Sequence, residues 1–69
     1  MHFTLGDKIK GIRMANDMSQ EELSFLLEVS PAIVSSWERN GSKPNGLSMF
    51  KLQTLFSLSK EFFFTDSLH

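Results

Sequence analysis

The 69-residue chain contains no cysteine. Disulfide stapling, thiol nucleophiles and cysteine-ligated zinc are thereby excluded, and an intracellular setting is the simplest expectation. Histidine is nearly as scarce: His2 and His69 stand at opposite ends and form no ligand cluster, so both read as solvated terminal residues. Neither sign of charge dominates. Seven Lys plus Arg against eight Asp plus Glu give a formal charge of −1, which denies the chain the global pull on phosphate of a strongly basic protein. No apolar run reaches the roughly 18 residues of a membrane span, and MHFTLGDK lacks the basic region and long apolar stretch of a signal peptide. A chain that is neither membrane-bound nor exported is expected. Asp7, Glu21, Glu22 and Glu28 resemble paired acids at helical spacing, but solvation and helix capping account for them more simply than acid and base chemistry. With no Ser, His and carboxylate set, no phosphate-cradling glycine loop and no metal cluster, neither an enzyme, a metal nor a cofactor is expected.

What the chain does hold is helical signal in nearly every segment. The hydrophobic fraction of 41% includes seven Phe. A chain of this size buries only about 60% of its unfolded surface, so every apolar face must be used. Leu5, Ile9 and Ile12 recur at helical spacing until Asn16 and Asp17, predicting a first helix from Leu5 to about Ala15, with Thr4 as its cap and Asp7 in its first turn. Gly11 weakens that helix by up to about 1 kcal/mol unless it permits a close contact. Ser19 followed by Glu22 is a capping box that predicts a second helix from Gln20 to about Leu27, with Leu23 and Leu27 turned inward. Ser30 and Pro31 mark the start of a third, reaching Glu38 or Arg39, whose inner face is Ile33 or Val34 plus Trp37.

Asn40 and Gly41 suit a turn and Pro44 delays resumption, so residues 40 to 46 read as a loop. Leu47, Phe50, Leu52, Leu55, Phe56 and Leu58 are too many for one narrow stripe; they predict a centrally packed helix from about Leu47 to Ser57, capped by Asn45 or Ser48. Ser59 starts a last short turn through Phe64, and residues 65–69 are expected to form a loose tail. The pattern is a single all-α domain over residues 1–69, built of five short helices without internal repeats.

The second and third helices, joined by a three-residue turn, form a helix-turn-helix over residues 19–39. Together with LGDKIKGIR at Leu5 to Arg13, MSQEEL at Met18 to Leu23, VSPAIVSSWERNGSKP at Val29 to Pro44 and LSKEFFF at Leu58 to Phe64, it resembles the phage repressor and Cro-like (XRE-type) helix-turn-helix proteins over nearly the whole chain. The resemblance implies a compact five-helix, lambda-repressor-like DNA-binding domain. It implies a sequence-specific transcription regulator, a repressor that meets double-stranded DNA as a homodimer on an inverted repeat, in the cytoplasm of a bacterium or a phage host. Pro31, Ala32, Ser35 and Ser36 would face the bases. Gln20, Arg39, Asn40 and Lys43 would face phosphate, Gln20 alternatively bracing a residue of the following helix. Arg13 and Glu38 would pair to hold the first helix to the end of the third, with Val34 and Trp37 as internal supports. Ser24 would let the two motif helices cross closely.

Three departures qualify the resemblance. Glu28 stands where such proteins often carry the turn glycine, and a left-handed backbone there would cost roughly 1 to 2 kcal/mol, so an altered turn is one expectation. Phe25 and Leu26 take outward positions that are commonly polar, explained either by core packing in a shifted helix or by a protein interface. The leading positions of the third helix hold no Arg, Lys, Asn or Gln for bidentate base contacts; Ala32 could meet a thymine methyl, and Ser35 or Ser36 a base or water. A second function therefore stands beside DNA binding: an interaction module of the same fold that modulates a regulator or toxin, with Phe25, Leu26, Phe62, Phe63 and Phe64 as its interface. Phe62 to Phe64 equally suit the symmetry interface of a homodimer. A basic stripe of Lys8, Lys10, Arg39 and Lys43 would favour DNA, and an apolar patch centred on Phe25 would favour a protein.

Overall fold

Each α-helix begins where a short polar side chain takes up an amide proton that the first turn leaves unbonded. In a computed structural model of the chain, which describes residues 3–63, these are α1 (Leu5–Ala15), α2 (Gln20–Leu27), α3 (Pro31–Glu38) and α4 (Gly46–Leu55). Thr4 and Asp7 exchange two bonds of 3.0 Å, backbone to side chain each way. Ser19 and Glu22 do the same at 2.8 and 3.0 Å. Ser30 Oγ accepts from the Ile33 amide at 3.2 Å, with Pro31 as the first helical residue, and Asn45 Oδ1 accepts from the Ser48 amide at 2.9 Å. The first three helices thus lie where the sequence puts them.

The helices end less conventionally. Within two residues of each α-helix a non-glycine residue lies in the left-handed region: Asp17, Glu28, Asn40 and Ser57, with φ of 54°, 60°, 61° and 55°. No glycine has positive φ, so Asn40 rather than Gly41 makes the turn after α3. Glu28 keeps the turn between α2 and α3 in the form a glycine would give it, with φ 60° and ψ 42°. Lys51 reaches across from α4 to donate to the Leu27 carbonyl and the Glu28 carboxylate, both at 3.2 Å, which ties this turn to α4.

The core is one cluster: Ile9 and Ile12 of α1, Leu23 and Leu27 of α2, Val34 and Trp37 of α3, and Leu52 of α4, all buried. Leu5, Val29, Met49, Phe56, Leu58 and Phe62 close over it. α3 packs chiefly against α2 and α1, and α4 against α2. Ser24, buried where α2 meets the core, donates its hydroxyl to the Glu21 carbonyl at 2.7 Å. Among the described residues no buried side-chain polar atom lacks a partner, and no helix is long and apolar enough to cross a membrane.

Three expectations are corrected. The fifth element is a 3-10 turn, Lys60–Phe63, so four α-helices rather than five are present among the described residues. α4 runs from Gly46 to Leu55 rather than to Ser57, because Ser57 turns left-handed and the Leu58 amide closes the end onto the Gln53 carbonyl at 2.9 Å. Nor is α4 packed all round. Leu52 is fully buried, but Leu47 and Phe50 are 63% and 64% exposed, because α4 packs chiefly against α2 and turns its other face to solvent. Phe64, the tail 65–69, His2 and His69 lie outside the described residues, as does the Phe63 side chain.

Candidate nucleic-acid interface

The surface is organised around how α3 is held from behind. Arg13, in the last turn of α1, donates from Nε to Glu38 Oε2 at 2.7 Å and from Nη2 to Oε1 at 3.0 Å, a bidentate pair across the end of α3. Its remaining Nη1 donates to the Met18 carbonyl at 2.8 Å, so one guanidinium joins α1, the segment leading into α2, and α3. Gln20, at the start of α2, adds a bond from Nε2 to Glu38 Oε1 at 3.1 Å. Of the two roles read for Gln20, bracing the following helix is the one its amide performs here. The Glu38 side chain is only 5% exposed.

Burial by itself pushes the Glu38 carboxyl up; the bonds from Arg13 and Gln20, with the charges of Arg13 and Lys10, outweigh it and leave the group below its ordinary value. The bond to Glu38 likewise holds Arg13 above its ordinary value, against the opposing effect of burial. Both partners are charged at neutral pH.

A second clasp lies at the opposite end of α1. Asn40 Oδ1 accepts from the Gly6 amide and Asn40 Nδ2 donates to Thr4 Oγ1, each at 3.0 Å. Gly6 permits this, since an added Cβ would lie 2.5 Å from the Trp37 carbonyl oxygen and 2.6 Å from that of Glu38. The positive amino end of the α1 dipole therefore meets the last carbonyls of α3. Gly6 carries no local signal in the sequence, whereas Gly11, the glycine that drew attention there, faces open space.

The front of α3 is small and apolar at its tip. Pro31 and Ala32 are exposed, and so is Ile33 at 41%; the sequence left Ile33 and Val34 as alternatives for the inner face, and Val34 takes it entirely. Ser35 and Ser36 are half-buried and both hydroxyls are engaged: Ser35 Oγ accepts from Arg39 Nη1, and Ser36 Oγ accepts from Ser42 Oγ at 2.8 Å. Arg39 and Lys43 are exposed after α3. Lys8 is drawn from the basic stripe, since its ammonium donates to the Phe62 carbonyl at 2.8 Å and stands 5.7 Å from the Phe62 ring centre. Phe25 and Leu26 do point outward, Phe25 at 81% exposure; the shifted-helix explanation for them is not what the fold adopts.

A helix-turn-helix family model matches residues 9–63. The chain is 33% identical over 58 residues to the HTH-type transcriptional regulator DicA of Escherichia coli (strain K12), across 84% of this chain and 43% of that protein, so it spans less than half the regulator's length. In structure it is similar to the P22 c2 repressor in complex with a synthetic operator, with a TM-score of 0.81 and 26% identity over 88% of this chain and 92% of that one. It is also similar to the restriction-modification controller protein C.AhdI from Aeromonas hydrophila, with a TM-score of 0.76 and 27% identity over 87% and 91% of the two chains. With the helix-turn-helix geometry and these likenesses together, the chain belongs to the phage repressor and Cro-like (XRE-type) helix-turn-helix DNA-binding family.

Proposed function

We propose that this chain is a sequence-specific DNA-binding transcription regulator that presents the amino-terminal half of α3 to a major groove. The carrying observation is the asymmetry of α3, whose carboxyl end is fixed by Arg13, Gln20 and Glu38 while Pro31, Ala32 and Ile33 stand exposed. A rigid helix with a small leading face can approach base edges closely, where apolar side chains meet thymine methyl groups. Ser35 and Ser36 accept bonds within the protein and still have a proton each to donate to a base or water. Much of the selectivity then falls to fit and to the deformability of the duplex.

Arg39 and Lys43 supply the phosphate contacts, with Gln20 and Asn40 at the same edge shaping the backbone approach. Two copies, paired through the carboxyl-terminal phenylalanines Phe62 to Phe64, would set their third helices one helical turn apart on an inverted repeat. Occupancy of such a site would block polymerase, and a cytoplasmic repressor of bacterial or phage origin is the simplest form of the reading. The likeness to a transcriptional regulator of E. coli supports the regulator reading. On a selected duplex, Arg39→Ala and Lys43→Ala should each weaken binding and reduce the salt-dependence slope by about 1. Unchanged affinity and slope in both variants would remove this mode of binding.

A second reading, a regulatory protein partner docked on the same fold, draws on the exposed Phe25 and Leu26.

A further inference from the structure

Phe25 is 81% exposed in the middle of a helix, and it does not stand alone. With Met18 and Leu26 it floors a groove of about 400 Å³ along α2. Leu26 also lines a second groove, of about 270 Å³, where Phe50 and Leu55 of α4 form the apolar wall. One surface therefore continues from α2 to α4, broad enough for an apolar helix face.

Its border is acidic. Glu21, Glu22 and Glu28 line the two grooves against one ammonium, Lys51; Lys51 and Glu28 pair at 3.2 Å, so the excess negative charge lies on Glu21 and Glu22 along α2. That imbalance decides the occupant. A second copy presenting the same face would set the α2 carboxylates against their own kind, whereas a partner with basic side chains beside its apolar stripe would find opposite charge along α2.

We propose that the outer face of α2 and the adjoining strip of α4 dock an amphipathic helix of another protein, whose apolar stripe is bordered by lysine or arginine. The proposal rests on the partner-docking reading and adds the partner's chemistry. Pro31, Ala32 and Ile33 line neither groove.

A synthetic helical peptide with leucines along one face and lysines on both flanks serves as the probe, titrated into the full chain while backbone amide resonances are followed. The expected result is saturable shifts in α2 and α4 that spare residues 31–33, with weaker binding at higher salt. A peptide with glutamate replacing the lysines should bind at least about tenfold more weakly, and Glu21→Lys should narrow that difference. Phe25→Ser, exposed and therefore expected to fold, should lose at least about tenfold for the lysine peptide, while affinity for a selected duplex stays unchanged as the control on the DNA-binding reading. Equal binding of the two peptides at Phe25 would overturn the basic-partner chemistry and leave docking in place. Binding indifferent to Phe25→Ser, no binding of either peptide, or shifts at this surface on concentrating the protein alone would overturn the docking itself.

Discussion

Gly6 shows how far one hydrogen atom can decide a fold of this size. A methyl group at this position would press on the carbonyl oxygens of Trp37 and Glu38 at 2.5 and 2.6 Å, and backbone atoms inside a helix cannot step aside. Gly6→Ala should therefore lose about 1 to 3 kcal/mol of stability by urea unfolding. Gly11→Ala is the matched control: nothing lies within 4 Å of its added Cβ, so the same change should gain up to about 1 kcal/mol through helix propensity. Glu28→Gly should also stabilise, by about 1 kcal/mol, because it relieves a left-handed glutamate whose exposed pair with Lys51 returns little. A lower urea midpoint for this variant would contradict the strain at the turn. Of these three positions Glu28 was legible beforehand, as a departure from the resembling turn, and Gly11 as a weak point of its helix, whereas Gly6 was not. The need for glycine at position 6 arises from a segment more than thirty residues away along the chain, about which local spacing carries no information.

At the scale of elements, the helix starts were readable because each is set by local bonding three residues apart, reciprocal at Thr4 and Asp7 and at Ser19 and Glu22, and a single bond from the Ser48 amide to Asn45. The end of α4 was not, because Ser57 rather than glycine turns the chain, and its exposed face was not, because exposure depends on which neighbour is missing. The orientation of α3 rests on the pair formed by Arg13 and Glu38, read in the sequence through family resemblance. Arg13→Ala leaves an almost buried carboxylate without its main partner and should cost about 3 kcal/mol, whereas Arg13→Met combined with Glu38→Leu should recover most of that loss. The pair also sets an acid limit. Glu38 has a folded-state value depressed below its usual 4.5, so its contribution is complete above that pH and is lost as pH falls through the folded value. Thermal melting across this range should show a shallower acid loss for Glu38→Gln than for the parent chain; parallel curves would remove Glu38 from the acid response.

For the whole molecule, the sequence displayed the helix-turn-helix and the small residues of its leading face, but not which hydroxyls were already occupied. The engagement of Ser35 by Arg39 and of Ser36 by Ser42, and the exposure of Ile33, come from the geometry of the finished turn. Net charge was equally silent: a formal −1 gives no long-range attraction, so the proposed mode relies on local cations after α3 for its phosphate contacts. The proposed regulator is thus a rigid, sparsely polar reader whose selectivity comes from close fit. The most direct measurement is selection of bound duplexes from a random pool with the purified chain at one fixed, moderate salt concentration. Enrichment of an inverted repeat with half-sites about one helical turn apart is the predicted result, and a flat pool from folded protein would contradict it.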